Sequence, residues 1–148
     1  MKYGIYFAYW EKEWFADYKK YIDKIAELGF DILEISCGAF NNTYTTDEQL
    51  YELRDYAKEK NVILTAGYGP QASQNLGSAD PAVQENAILF FTETLHKLKK
   101  MDIKALGGGL YSYWPVDYSK PVDKEGDLER SIANMKKVAK VAEECDVV

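Results

Sequence analysis

Segments that predict a β-strand alternate with segments that predict an α-helix along the whole chain, and this alternation leaves few folds open. Predicted strands lie at residues 3–8, 32–36, 62–66 and 104–107, and a fifth begins at 147–148. They are near-continuous apolar runs, which is typical of parallel strands that are buried on both faces. Repeated strand–helix units predict the α/β class, with a parallel sheet covered by helices.

The length of the chain limits how much of such a sheet it can build. Its 148 residues suffice for one domain with a hydrophobic core, whereas a closed parallel barrel of eight strands takes roughly 250 residues. The spacing of about 30 residues between the first strands matches one strand–helix–strand step. Because the chain ends where a fifth strand begins, we expect a single domain over residues 1–148, the (βα)4 half of a barrel.

The predicted helices carry recognisable start signals. The first is expected from about Phe15 to Leu28, and the second follows a capping box that begins at Thr46. The pair Asp80-Pro81 predicts the start of the third, since proline suits the first helical position. The fourth is expected from Asp127 to Cys145, with the following side chains facing the core: Ile132, Met135, Val138, Ala139 and Ala142.

Charge and cysteine content restrict the partners. The net charge is −6, and an acidic surface repels phosphate backbones, so we expect no nucleic acid partner. Glu11 and Glu13 interrupt the first apolar run too early for a signal peptide or a membrane span. Cys37 and Cys145 form no CxxC pair. We therefore expect reduced thiols in a cytoplasmic protein that has no membrane partner.

Aromatic side chains are concentrated where the predicted strands end, and in a parallel barrel these ends share one rim. A ring offers a flat apolar face to the C–H side of a sugar, and Tyr and Trp add a polar group. Any single ring is also compatible with core packing, but three groups at equivalent loops favour a ligand pocket. The rings are Tyr6, Phe7, Tyr9, Trp10, Trp14, Tyr68, Tyr111, Tyr113 and Trp114.

Glycines follow the third and fourth strands, at Gly67, Gly69 and 107–109. Glycine lets a ligand or another backbone segment approach closely, so sugar contact and tight packing at a barrel rim both remain open. A phosphate-binding loop is not indicated, because no Lys-Ser/Thr follows the glycines and the dinucleotide-binding spacing is absent.

Few side chains suited to chemistry remain. Glu34 stands in the middle of the second strand, where it is either a buried structural acid or a residue of the site. The single histidine, His96, is predicted in the middle of a helix and away from the strand ends. The sequence therefore indicates no metal cluster, no carboxylate pair for acid–base catalysis and no serine–histidine arrangement.

Four segments are distinctive in sequence: Tyr3–Trp14 (YGIYFAYWEKEW), Gly29–Ile35 (GFDILEI), Leu64–Pro70 (LTAGYGP) and Gly107–Val116 (GGGLYSYWPV). Together they closely resemble the ketose 3-epimerases, the group of D-psicose (allulose) and D-tagatose 3-epimerases. The resemblance runs over essentially the whole chain, and the segment ending in Trp-Pro-Val is its most specific part.

The resemblance implies a TIM-barrel isomerase of the xylose-isomerase-like superfamily that inverts C3 of free ketohexoses, as between D-psicose and D-fructose. In that family two glutamates serve as acid and base, and a divalent ion (manganese, cobalt or magnesium) holds the sugar oxygens. By motif match, the sugar pocket would be lined by Tyr6, Trp14, Gly67, Tyr68, Gly109, Leu110 and Trp114.

The family's glutamates and metal ligands come from the fifth to eighth strands. We therefore expect no catalytic residue and no metal ligand in this chain, no cofactor bound to it, and no activity of the chain alone. Open strand edges predict association into a homo-oligomer or with a missing C-terminal half. Two alternatives stay open: a non-catalytic carbohydrate-binding or assembly half-barrel, and a related sugar or sugar-phosphate isomerase.

Overall fold

The computed structural model describes residues 1–14, 16–41, 43–119 and 121–148. Within these residues, strands β1 to β4 form one parallel sheet in the order of the sequence, and helices α1 to α4 follow them in turn. This is the (βα)4 half of a TIM barrel. The strands are β1 (Gly4–Tyr6), β2 (Ile32–Ser36), β3 (Ile63–Tyr68) and β4 (Leu106–Gly108); the helices are α1 (Lys19–Leu28), α2 (Asp47–Glu59), α3 (Pro81–Lys100) and α4 (Lys124–Cys145).

Three strands differ at their ends from the ranges that the sequence predicts. β1 stops at Tyr6, because Phe7–Tyr9 turns into a short 3-10 helix and buries the Phe7 ring edge-on against Tyr18 at 5.1 Å. β3 runs two residues further, to Tyr68, and β4 is confined to Leu106–Gly108. The last residue lies beside β4: the Val148 amide donates to the Lys104 carbonyl at 2.9 Å, and its carbonyl accepts from the Leu106 amide at 2.8 Å.

The two faces of the sheet have different surroundings. Side chains that alternate along a strand point to opposite faces. One face packs against the helices and carries fully buried residues such as Leu33 and Ile35. We call the opposite face the open face. The strand register assigns to it Gly4, Tyr6, Ile32, Glu34, Ser36, Ile63, Thr65, Gly67 and Gly107.

The helix starts follow local signals where such signals exist. Thr46 and Gln49 form the predicted capping box of α2, and the Asp80 carboxylate accepts from the Ala82 amide at the start of α3. The first helix begins at Lys19, four residues later than expected, and Phe15, the predicted start, lies outside the described residues. Its start is held by a distant residue, since the Tyr18 amide donates to the Tyr44 hydroxyl at 2.8 Å.

The fourth helix buries only part of the predicted face: Val138 is buried and Met135 and Ala142 pack partly against the core, as predicted, whereas Ile132 and Ala139 are exposed. It begins at Lys124, and Ile132 is 48% exposed, whereas Ser131 and Asn134 are buried. These polar side chains are inside because they satisfy loop carbonyls: the Ser131 hydroxyl donates to Tyr111 and the Asn134 amide to Leu76. No helix among the described residues combines the length and the apolar character that crossing a membrane requires.

Candidate functional site

The loops that follow the carboxyl ends of β1, β3 and β4 lie on one side of the sheet, and we call this side the rim. The loops after β3 and β4 are tied together by a hydrogen bond of 2.8 Å from the Trp114 amide to the Pro70 carbonyl. Between them lies a cavity of about 470 Å³, lined in part by Gly69, Gly109 and Trp114. This edge of a parallel barrel is where ligands bind, so the cavity is the first candidate site.

A second group of candidates lies on the open face just below the rim. Tyr6 pairs in register with Glu34, so both side chains emerge from the same level of the sheet. A Cβ atom placed on Gly67 would lie 2.5 Å from Glu34 Oε1, which means that the carboxylate reaches toward the rim and occupies the space over this glycine. Burial raises the pKa of both Tyr6 and Glu34, and for Tyr6 the nearby Glu34 charge adds to the effect.

Two of the predicted sugar-binding rings are exposed at the rim. The Trp14 side chain is 65% exposed and the Trp114 side chain 72%. When a ligand or another surface covers a large exposed indole ring, apolar area is removed from water, which is favourable. Both rings are therefore accessible to a molecule at the rim, and Tyr111, which lines the same cavity as Trp114, is exposed to a similar degree.

Tyr68 and Leu110, which the resemblance places in the pocket, lie with the helix layer instead. The Tyr68 ring stacks on Phe90 at 4.8 Å, and its hydroxyl donates to Gln74 Oε1 at 2.7 Å. Leu110 lines an apolar cavity of about 360 Å³ between α3 and α4, together with Met135. Tyr68 faces the helices because successive residues of a strand point to opposite faces and its neighbour Gly67 is on the open face.

The glycines after β4 divide into two kinds. Gly108 has φ +119°, and a Cβ there would lie 2.1 Å from the Tyr68 carbonyl oxygen, so this glycine is required by the backbone. Gly107 and Gly109 have no heavy atom within 4 Å of the corresponding position. The space over these two glycines is open to a ligand.

A buried tyrosine pair that the sequence analysis did not single out supports the end of β2. The Tyr18 hydroxyl accepts a hydrogen bond from the Ser36 amide at 3.1 Å and donates one to the Ser36 carbonyl at 3.3 Å. Because β1 ends at Tyr6, this hydroxyl bonds the Ser36 backbone in place of a strand partner. The Tyr18 and Tyr44 rings stack at 5.4 Å. The sequence signal for this support is a tyrosine at a core position near the start of a helix. Its buried hydroxyl needs a hydrogen-bond partner elsewhere in the fold.

The other predicted features lie away from the rim. His96 is on α3, with Nδ1 3.6 Å from the Cys145 sulfur at the end of α4. Among the residues that the structure describes, no three His, Cys, Asp or Glu side chains come together to hold a metal ion. Trp10 stacks on Tyr21 at 6.0 Å on the helix side. The site thus offers two exposed indole rings, glycine-lined space and, among the described residues of the open face, one carboxylate, Glu34.

The chain is similar to known proteins over its whole length. Residues 22–148 match the family described as xylose isomerase-like TIM barrel. The D-psicose 3-epimerase of Enterocloster bolteae is 63% identical over 148 residues, which are 100% of this chain and 49% of that protein.

Solved structures give the same picture. The crystal structure of D-psicose 3-epimerase with D-tagatose from Clostridium cellulolyticum H10 has a TM-score of 0.96 and 53% identity, over 99% of this chain and 50% of that one. A crystal structure of a D-psicose 3-epimerase in the presence of D-fructose has a TM-score of 0.94 and 45% identity, with the same coverage. The chain spans about half the length of the curated relatives it matches.

Proposed function

The chain belongs to the xylose isomerase-like TIM barrel family, and from this membership we propose that it is the sugar-binding N-terminal half of a ketohexose 3-epimerase. The reaction would interconvert D-psicose and D-fructose by proton transfer at C3. The observation that carries the proposal is the 63% identity to a D-psicose 3-epimerase over the full 148 residues. The open rim with its exposed indole rings supports it, because it is suited to an uncharged polyol.

The residues of this chain contribute binding and orientation. Trp14 and Trp114 cover the C–H faces of the sugar and exclude water from it, since their rings are exposed at the rim. Tyr6 supplies a hydroxyl on the open face, and Gly109, which has no heavy atom within 4 Å of a Cβ position, lets the sugar approach the backbone closely, while Gly67 leaves room for the Glu34 carboxylate. These contacts hold C3 in place for a proton transfer that other residues perform.

The acid, the base and the divalent metal that the resemblance implies are assigned to the part of the relatives' length that this chain does not span. Among the described residues no group of three His, Cys, Asp or Glu side chains is placed to hold a metal ion. We propose that the 148-residue chain is inactive by itself and that it acts with a C-terminal half-barrel or with a second copy, in the cytoplasm.

The proposal is tested with two proteins: the 148-residue chain, and the same chain continued by the C-terminal half of the Enterocloster bolteae relative. Both are incubated with Mn²⁺ and D-psicose, and D-fructose is measured by chromatography. We expect conversion with the longer protein and none with the shorter one. Turnover by the shorter chain above a metal-only blank would contradict its inactivity, and a folded longer protein that converts no ketohexose would contradict the epimerase assignment.

A further inference from the structure

Glu34 is an unusual carboxylate, because it stands on the open face without a protein partner. Among the described residues its carboxylate forms no ion pair or hydrogen bond, and burial raises its pKa. No buried side-chain oxygen in the described residues lacks a hydrogen bond, so the unpaired Glu34 oxygens are reachable from outside. A half-buried carboxylate is costly to keep unless something binds it.

The position of Glu34 directs it toward the rim. Its Cα lies at the level of Tyr6 and Thr65, but its Oε1 atom reaches the space over Gly67, one level closer to the rim. Gly67 pairs with Ser36 and with Gly107, both on the open face. The carboxylate therefore lies on the open face over Gly67, next to Gly107, which leaves space for a ligand.

Within this half of the barrel, no described side chain holds Glu34 as a structural acid. A buried structural acid is held by a cation or by several donors, and none of the residues that form the open face is a lysine or an arginine. The charged side chains that do form ion pairs, such as Lys60 with Asp23, belong to the helices and the loops. The Tyr6 and Thr65 side chains pair in register with Glu34, but the Tyr6 hydroxyl bonds the Ser36 side chain, and no described donor bonds the Glu34 carboxylate.

We propose that the Glu34 carboxylate accepts a hydrogen bond from one hydroxyl group of the bound ketose, and that residue 67 is glycine so that the carboxylate can reach this hydroxyl. The identity of the ligand rests on the proposed function. Glu34 is then a residue that determines specificity: it discriminates among sugars by the presence and orientation of one hydroxyl. A hydrogen bond to a charged group is worth about 10- to 100-fold in affinity.

The test uses the longer protein, with Mn²⁺ present, and measures Kd by titration calorimetry for D-fructose and for each of its monodeoxy derivatives. The variants are Glu34→Ala and Glu34→Gln, and Glu59→Gln on the exposed end of α2 serves as a matched control. We expect Glu34→Ala to weaken D-fructose binding about 10- to 100-fold, Glu34→Gln to weaken it less, and the control to leave it unchanged.

The deoxy sugars separate a direct contact from a structural effect. For the derivative that lacks the recognised hydroxyl, the wild type and Glu34→Ala should bind equally, whereas the other derivatives keep the full difference. An equal loss for every sugar, or no loss for D-fructose, would overturn the inference while the epimerase assignment stands. Failure of the wild type to bind any ketohexose would overturn both.

The role of Gly67 is tested by Gly67→Ala, whose methyl group would displace the carboxylate. We expect this variant to weaken D-fructose binding as much as Glu34→Ala does, and the double variant to lose no more than either single one. Additive losses would show that the two residues act separately and would overturn the claim about Gly67. Gly67→Ala should fold, because the atom to be displaced is the end of a flexible side chain. Urea unfolding of each variant checks that it is folded.

Discussion

Replacing Gly108 with alanine should strongly destabilise the pairing of β3 with β4. The backbone φ of +119° costs a residue with a Cβ about 1–3 kcal/mol. The new Cβ would lie 2.1 Å from the Tyr68 carbonyl oxygen, which is backbone and cannot rotate away. Overpacking of this kind costs a further 1–3 kcal/mol or so, so we expect a loss of about 2–6 kcal/mol in the free energy of unfolding.

The neighbouring Gly109→Ala is the matched control. No heavy atom lies within 4 Å of a Cβ at this position, and its φ is not in the left-handed region. Alanine also restricts the unfolded chain, which stabilises by about 0.4–1 kcal/mol where the native conformation suits it. We therefore expect unchanged or slightly increased stability together with weaker ketose binding, because the methyl group enters the proposed site.

Urea unfolding followed by circular dichroism measures both variants, and thermal unfolding gives a second value. For a chain of this size about 1 kcal/mol corresponds to roughly 2–4 °C in Tm, so Gly108→Ala should unfold about 5–20 °C below the wild type. A loss under about 1 kcal/mol for Gly108→Ala, or an equal loss for both variants, would refute this prediction. It would show that the backbone at Gly108 does not require glycine any more than the backbone at Gly109 does.

Three further predictions concern the support of the site. Tyr18→Phe leaves the buried Ser36 amide without a partner, so urea unfolding should show a loss of about 1–3 kcal/mol, while exposed Tyr118→Phe stays within about 0.5 kcal/mol; equal values would contradict the role of Tyr18. Thr46→Ala removes the α2 cap and should cost about 1 kcal/mol in the same assay, and no loss would show that the cap is dispensable. Burial raises the folded pKa of Glu34 above its unfolded value near 4.5, so its contribution to stability is full below that value and is lost as pH rises through the folded pKa. Glu34→Gln should therefore gain stability relative to the wild type as the pH rises from about 4.5 through the raised folded pKa of Glu34, and a difference that stays constant as the pH rises would contradict the shift.

Local signals in the sequence predicted the helix starts well where the partner is close along the chain. Thr46 with Gln49, and Asp80 with Pro81, lie within one turn of each other, so their geometry follows from neighbouring residues. The start at Lys19 was missed because the Tyr18 amide is bound by Tyr44, which is 26 residues away. No local pattern contains that contact.

Ile132 shows the same limit for a buried face. Its apolar character predicted an inward position, but α4 turns Ser131 and Asn134 inward because carbonyls of other loops need donors there. The energy of leaving a buried carbonyl unpaired exceeds the gain from covering part of one isoleucine. Such a balance depends on segments that are far apart in the sequence.

The sequence by itself determined the alternation of strands and helices, the capping residues and the resemblance to the ketose 3-epimerases, because each depends on residue type and short spacing. The tertiary structure decided which rim residues face the open side: Tyr6, Glu34 and Gly67 do, whereas Tyr68 and Leu110 do not. Strand register is set by packing between distant segments, and a shift of one residue exchanges the two faces of a sheet.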